Sequence, residues 1–164
     1  MEIRRAQRAD LSEIYALIKL SARELQSGFY EPCIIEEALE LVTGIDGLIE
    51  AETFLVVVDA ERIVGCGGYV NSPMCSELRA LFVHPRFSRK GIASKVMAKC
   101  IELCVGTGSK QLKLVATLAG VPFYTKFGFS EISRETVTLS SGALFEVVAM
   151  NRIISRPYCS NSIL

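Results

Sequence analysis

The chain has one histidine, no Cys-x-x-Cys pair, no excess of either charge and no apolar run reaching the ~18 residues of a membrane span. Each absence removes a class of function. With His84 as the only imidazole, no set of residues has metal-ligand spacing. Eighteen Lys and Arg balance eighteen Asp and Glu, which argues against nucleic acid or an anionic membrane as the main partner. The opening residues, Met1-Glu2-Ile3-Arg4-Arg5, lack the apolar stretch of a signal peptide. Six cysteines (33, 66, 75, 100, 104 and 159) would formally allow three disulfides. A chain of this length without a secretory signal instead reads as carrying reduced thiols in a cytoplasmic (cytosolic) compartment. No internal repeat or low-complexity stretch is evident.

What is present is a chain of 164 residues, half of them hydrophobic, long enough to bury a core as one domain. Residues 2–6 read as an opening strand. Asp10 stands as an N-cap with Glu13 at the capping-box position, before a helix with Leu11, Ile14, Tyr15, Leu17 and Ile18 on its apolar side. A second helix is expected from Glu31 or Pro32 to Val42, stopping before Gly44. Thr53 to Asp59 and Arg62 to Tyr69 read as a hairpin turning at Asp59-Ala60-Glu61-Arg62. The run Gly65-Cys66-Gly67-Gly68 is no dinucleotide loop, because Tyr69-Val70 and Asn71-Ser72-Pro73 follow it instead of a helix; its glycines fit a bulge or close packing. Further on come a buried strand at Gln111 to Ala116, a short helix around residues 120–127 and a hairpin of Phe129 to Leu139 with Leu144 to Met150. The domain is expected to span residues 1–151, with residues 152–164 as a tail that is frayed or docks on a partner subunit.

The most informative stretch runs from Glu77 to Val105. Leu78 to Val83 reads as a strand closed by Pro85, which cannot donate to a sheet ladder. After Gly91 the period changes: Ile92, Val96, Met97, Cys100, Ile101, Cys104 and Val105 fall at helical spacing until Gly106 and Gly108. A helix start has N–H groups without intrahelical partners and about half a positive charge. Gly91 and Ala93 leave that backbone approachable, and Arg86, Arg89 and Lys90 surround it with charge. Residues 88–94 thus offer either a phosphate cradle or an ordinary strand-to-helix connection with a solvated basic face.

Ser88-Arg89-Lys90-Gly91-Ile92-Ala93 resembles the acyl-CoA-binding motif of the GNAT N-acetyltransferase superfamily, Arg/Gln-x-x-Gly-x-Gly/Ala. Gly91 and Ala93 match, as does the preceding Leu81-Phe82-Val83-His84-Pro85; Ser88 stands where the family more often has Arg or Gln. A second landmark, Ala119-Gly120-Val121-Pro122-Phe123-Tyr124-Thr125-Lys126-Phe127-Gly128-Phe129, resembles A-x-x-F-Y-x-x-x-G-F with one extra residue before Phe123. The two landmarks in order are more specific than either alone. The resemblance implies an α/β (α+β) fold, with a mixed, mostly antiparallel sheet of about seven strands flanked by about four helices.

It also implies acetyl-CoA (coenzyme A) as co-substrate, with no metal. Direct attack by a primary amine of a small molecule or protein would occur in a ternary complex, with no cysteine nucleophile. Such transfer needs a base for the amine, stabilisation of the carbonyl oxygen and an acid for the leaving thiolate. Tyr124 is the candidate acid; the alternative is aromatic packing, for which Phe123 and Phe127 are better suited because they lack a hydroxyl. Glu77 is the candidate base, placed by alternation on one strand face with Arg79, Leu81 and Val83 unless a bulge intervenes. Otherwise it pairs with Arg79 or a neighbouring base.

By resemblance Leu81, Phe82 and Val83 hold the pantetheine arm, and Ser88, Arg89, Lys90, Gly91, Ile92, Ala93 and Ser94 the diphosphate. Thr117 contacts the same arm or caps the next helix. Tyr30 lines the acceptor cleft or packs in the core, and His84, just before Pro85, is structural or exposed rather than catalytic. A non-catalytic acyl-CoA sensor is the competing function; a nucleotide-binding enzyme is weakened by the lack of Gly-Lys-Ser/Thr. Exposed strand edges make a homodimer plausible without fixing one.

Overall fold

The structure, a computed structural model, describes residues 1–154. Seven strands form one sheet: β1 (Glu2–Arg5), β2 (Phe54–Asp59), β3 (Arg62–Val70), β4 (Cys75–Val83), β5 (Gln111–Thr117), β6 (Ser130–Thr138) and β7 (Leu144–Ile153). Their order is β1-β2-β3-β4-β5-β7-β6, and every pair is antiparallel except β4–β5. Among the described residues five α-helices flank it: α1 (Leu11–Leu25), α2 (Pro32–Ala38), α3 (Ile45–Glu50), α4 (Ile92–Gly106) and α5 (Val121–Lys126). No helix among the described residues is long and apolar enough to cross a membrane.

Two cores sandwich the sheet. On one face Ile92, Val96, Met97, Cys100 and Cys104 of α4 pack on Leu55, Val57, Leu112, Leu114 and Met150. On the other, Ile14, Leu17 and Ile18 of α1 with Ile45, Leu48 and Ile49 of α3 cover Phe54, Val56 and Cys66. The glycines of β3 are what let α4 lie so close. A Cβ built on Gly65 would overlap Ile92 Cγ2, and one on Gly67 would stand 2.8 Å from Val96 Cγ1. The close-packing reading of Gly65-Cys66-Gly67-Gly68 therefore holds.

Several expectations need correction. The helix from Pro32 ends at Ala38 and continues only as a 3-10 turn, Leu39–Leu41. The five helices include α3, which was not expected; Gly47 disfavours it, and burial of Ile45, Leu48 and Ile49 overrides that propensity. Asp10 does not cap α1 because a 3-10 turn, Arg8–Asp10, has already brought its backbone into the helical region. Its carboxylate accepts instead from Arg4 at 2.7 and 3.0 Å and from Gln7 N–H at 2.7 Å, and the Arg4 guanidinium holds it below the usual carboxylate range. Glu13 likewise leaves the cap and accepts from Ile63 N–H at 2.8 Å. Tyr15 turns outward, 43 % exposed. β7 continues to Ile153, and Ile154 N–H donates to Lys110 O, so ordered structure runs past the expected boundary at 151. Of the expected tail, residues 155–164, with Cys159, lie outside the described residues.

Of the six cysteines, five lie among the described residues. Cys33, Cys66, Cys75, Cys100 and Cys104 form no disulfide with one another, and burial pushes Cys66 and Cys100 up to about 12. Only a thiolate alkylates quickly. Brief iodoacetamide treatment of the native protein at pH 8 is expected to label exposed Cys33 while Cys66 and Cys100 stay unmodified. Peptide mass spectrometry reads the outcome.

Candidate active site

The site begins where two strands part. β4 and β5 pair in parallel only from Cys75↔Gln111 to Glu77↔Lys113. Beyond Glu77 the β4 edge facing β5 has no ladder partner. The cause lies in β4 itself: Ala80 takes φ +52° opposite a register shift between Cys66 and Gly68, a bulge that bends and twists the strand. A non-glycine residue held left-handed is an observed outlier of the kind that gathers at functional sites.

The bulge also resets the strand's faces. Leu78, Leu81 and Val83 lie with the α4 core, whereas Ala80 and Phe82 lie with the α1 core. Alternation back from Leu78 puts Glu77 and Arg79 on the α1 side. Glu77 thus does not share a face with Leu81 and Val83. Its carboxylate accepts from Arg79 Nε at 2.8 Å and lies 3.7 Å from Lys113 Nζ.

Two cavities meet in the gap. The larger, about 760 Å³, runs from the α4 N-terminus along Phe87, Arg89, Phe123 and Phe127. The smaller, about 420 Å³, lies below α1 and α2 against Glu77, Arg79, Val115 and Phe145. Leu81, Phe82, Thr117 and Tyr124 line both. Tyr124 therefore stands at the junction.

At the far end of the larger cavity, Gly91 (φ +80°) turns the chain into α4, and Arg89 two residues earlier is also left-handed (φ +60°). The first intrahelical bond runs from Lys95 N–H to Gly91 O at 3.0 Å. The N–H groups of Ile92, Ala93 and Ser94 accordingly have no intrahelical acceptor, and all three residues line the cavity. Ile92 offers only its backbone, since its side chain is buried in the core. Ser88 and Arg89 line the cavity; Lys90 is turned away, with Nζ 5.0 Å from the centre of the Phe87 ring.

Tyr124 is held by aromatic neighbours. Its ring lies 5.4 Å from Phe123 and 6.1 Å from Phe129, edge-on to both. It also lies against Gly120, where a Cβ would come within 2.9 Å of Tyr124 Cε2. Among the described residues its hydroxyl has no hydrogen-bond partner, and burial pushes the phenol well above its ordinary value.

Thr117 ends β5. Its carbonyl accepts from Gly120 N–H at 2.9 Å, and its side chain caps nothing. Tyr30 lines neither cavity and packs against Phe145, the second of its two expected places. Its hydroxyl donates to Glu146 O at 2.7 Å and accepts from Leu118 N–H at 2.8 Å, while its ring packs on Phe145. It is a strut that fixes the end of β5, and with it Thr117. Tyr30→Phe strands the Leu118 donor and should lower unfolding free energy by about 1–3 kcal/mol in a urea titration. His84 Nδ1 accepts from Arg86 N–H at 3.2 Å and its ring meets Phe87 edge-on.

Gln26 and Val115 are among the lining residues that escaped the sequence reading. Gln26 lines both cavities from just beyond α1, and no local signal marks it. Val115 carries a signal: β5 turns Lys113 and Val115 outward, and Val115 is apolar yet 60 % exposed. Among the described residues no cluster of His, Cys, Asp and Glu is placed to hold a metal ion.

Comparison with known proteins agrees with this geometry. The Acetyltransferase (GNAT) domain profile matches residues 34–142. A protein described as the uncharacterized N-acetyltransferase YafP of Escherichia coli (strain K12) is 21 % identical over 139 residues, covering 84 % of this chain and 86 % of its own. The crystal structure of a GCN5-related N-acetyltransferase from Rhodopseudomonas palustris superposes with TM-score 0.79 at 18 % identity, over 93 % of this chain and 95 % of that one. The paia N-acetyltransferase from Thermoplasma acidophilum, solved in complex with coenzyme A, superposes with TM-score 0.71 at 16 % identity, over 93 % and 98 %. The domain match spans well over half of the sequence, and the chain belongs to the GNAT acetyltransferase family.

Proposed function

We propose that this protein transfers an acetyl group from acetyl-CoA to a primary amine by direct attack in a ternary complex. The observation that carries the reading is the meeting of two cavities at one phenol, with the N-terminus of α4 and its free amides at the far end of one of them. The residues present fit the co-substrate. Free amides of Ile92, Ala93 and Ser94, aided by the helix dipole and Arg89, suit a diphosphate. Gly91, whose left-handed backbone has no atom within 4 Å of a would-be Cβ, leaves that approach open. The unpaired β4 edge at Leu81, Phe82 and Val83 offers backbone groups to the amides of a pantetheine arm, as a sheet edge accepts an added strand.

When bound, acetyl-CoA supplies an acyl group activated as a thioester. Tyr124 holds a proton at the cavity junction and gives it to the leaving sulfur. Its raised pKa keeps that proton in place at neutral pH. Glu77, in the wall of the smaller cavity, takes the proton of the incoming ammonium, directly or through water. Cys100 also lines the smaller cavity, but burial keeps its thiol protonated, which favours attack by the amine over a covalent acyl-cysteine.

The test is release of free thiol from acetyl-CoA on a panel of amines, with calorimetry on acetyl-CoA and ATP in parallel. The expected result is binding of acetyl-CoA but not ATP, and amine-dependent thiol release. Binding without turnover on any amine would make the protein a sensor.

A further inference from the structure

The smaller cavity carries charged side chains in its wall only from Glu77 and Arg79. Glu77 is already engaged by Arg79 and approached by Lys113, so one carboxylate faces two cations and the cluster is net positive by one charge. Arg79 spends only Nε on that pair. Among the described residues its two terminal nitrogens have no hydrogen-bond partner. A planar guanidinium with that edge open matches a carboxylate in two-pronged geometry.

The remaining wall is largely apolar. Leu41 (48 % exposed) and Val115 (60 % exposed) belong to the lining yet stand open to solvent, with Phe145 and Val147 also in the wall. Exposed apolar side chains gathered at a concave site mark a ligand with an apolar body. A polyamine would meet net positive charge and a single, already paired carboxylate. A simple apolar amine would leave the open guanidinium edge unmatched. An amine carrying both a carboxylate and an apolar side chain satisfies both features, and about 420 Å³ accommodates it.

Resting on the acetyl-transfer reading, we propose that the acceptor is a hydrophobic amino acid. Arg79 takes its carboxylate, and the wall from Leu41 to Val115 takes its side chain. The step is balanced: the ammonium first loses one proton to Glu77 and on to solvent, and a C–N bond forms as the thioester C–S bond breaks. The nitrogen then gives up a second proton and the leaving sulfur gains one, so that one proton is released overall.

The experiment measures thiol release from acetyl-CoA with phenylalanine, leucine, phenethylamine and spermidine, using the wild type and Arg79→Gln. Calorimetry with acetyl-CoA alone is run on both proteins. For the wild type, kcat/KM on phenylalanine should exceed that on phenethylamine by about tenfold or more. In Arg79→Gln that ratio should collapse toward one, mainly through the KM for phenylalanine. If Arg79 acted only by orienting Glu77, both acceptors would slow together with the ratio preserved, and the proposal would be overturned. Preference for spermidine or phenethylamine in the wild type overturns it too, while leaving acetyl transfer intact. Failure of the wild type to bind acetyl-CoA removes the underlying reading instead.

Discussion

Tyr124→Phe is expected to lower kcat by about 10²-fold or more, the scale of losing a positioned general acid. Acetyl-CoA affinity should stay within about twofold, because the change removes a hydroxyl and keeps the ring that packs against Phe123, Phe129 and Gly120. The hydroxyl is the part of this residue that packing does not use, since it has no hydrogen-bond partner among the described residues. The pH dependence follows from its direction of shift. As the proposed acid Tyr124 must be protonated to act, and burial raises its pKa above the usual phenol value near 10. Tyr124 therefore imposes no falling limb on kcat below about pH 10. A variant with unchanged kcat and unchanged affinity would show that the hydroxyl is idle.

Gly65→Ala is expected to destabilise the fold by about 1–3 kcal/mol, the range for forcing extra carbon into a packed core. For a domain of this size that corresponds to a fall in Tm of roughly 2–10 °C. The added Cβ would overlap Ile92 Cγ2, and Ile92 is itself 1 % exposed, so it has little room to yield. What moves is the first turn of α4, whose amides open the proposed diphosphate site. Affinity for acetyl-CoA should therefore fall along with stability. Thermal melting and calorimetry on the same preparation separate this from Gly28→Ala, where a Cβ meets nothing within 4 Å and neither quantity should change much.

How much of this could be read from residues alone depended on whether the signal was local. The shift from strand to helix at Gly91 was legible because period, glycine and flanking charge all lie within twenty residues of one another. The proposed diphosphate half of the site was read from the same stretch. Whether Glu77 and Arg79 share a face with Leu81 stayed open, because the left-handed Ala80 that separates them has no sequence signature; alanine is an ordinary strand residue until the opposing register forces a bulge. The Glu13 expectation failed similarly. Its spacing from Asp10 fits a capping box, but the backbone N–H of Ile63, fifty residues away, takes the carboxylate. Tyr30 shows the limit most clearly. Its two hydrogen bonds reach β7 and the residue after β5, and nothing near it in sequence reveals either partner.

The central claim is that the amides opening α4 receive a diphosphate. Its most direct measurement follows the backbone N–H resonances of labelled protein by NMR as coenzyme A is added. The account predicts saturable movement of the Gly91, Ile92, Ala93 and Ser94 amides, with smaller shifts at Leu81 to Val83 along the parted strand. Amides that stay still at 91–94 when coenzyme A reaches millimolar concentration, or that move only elsewhere, would contradict it.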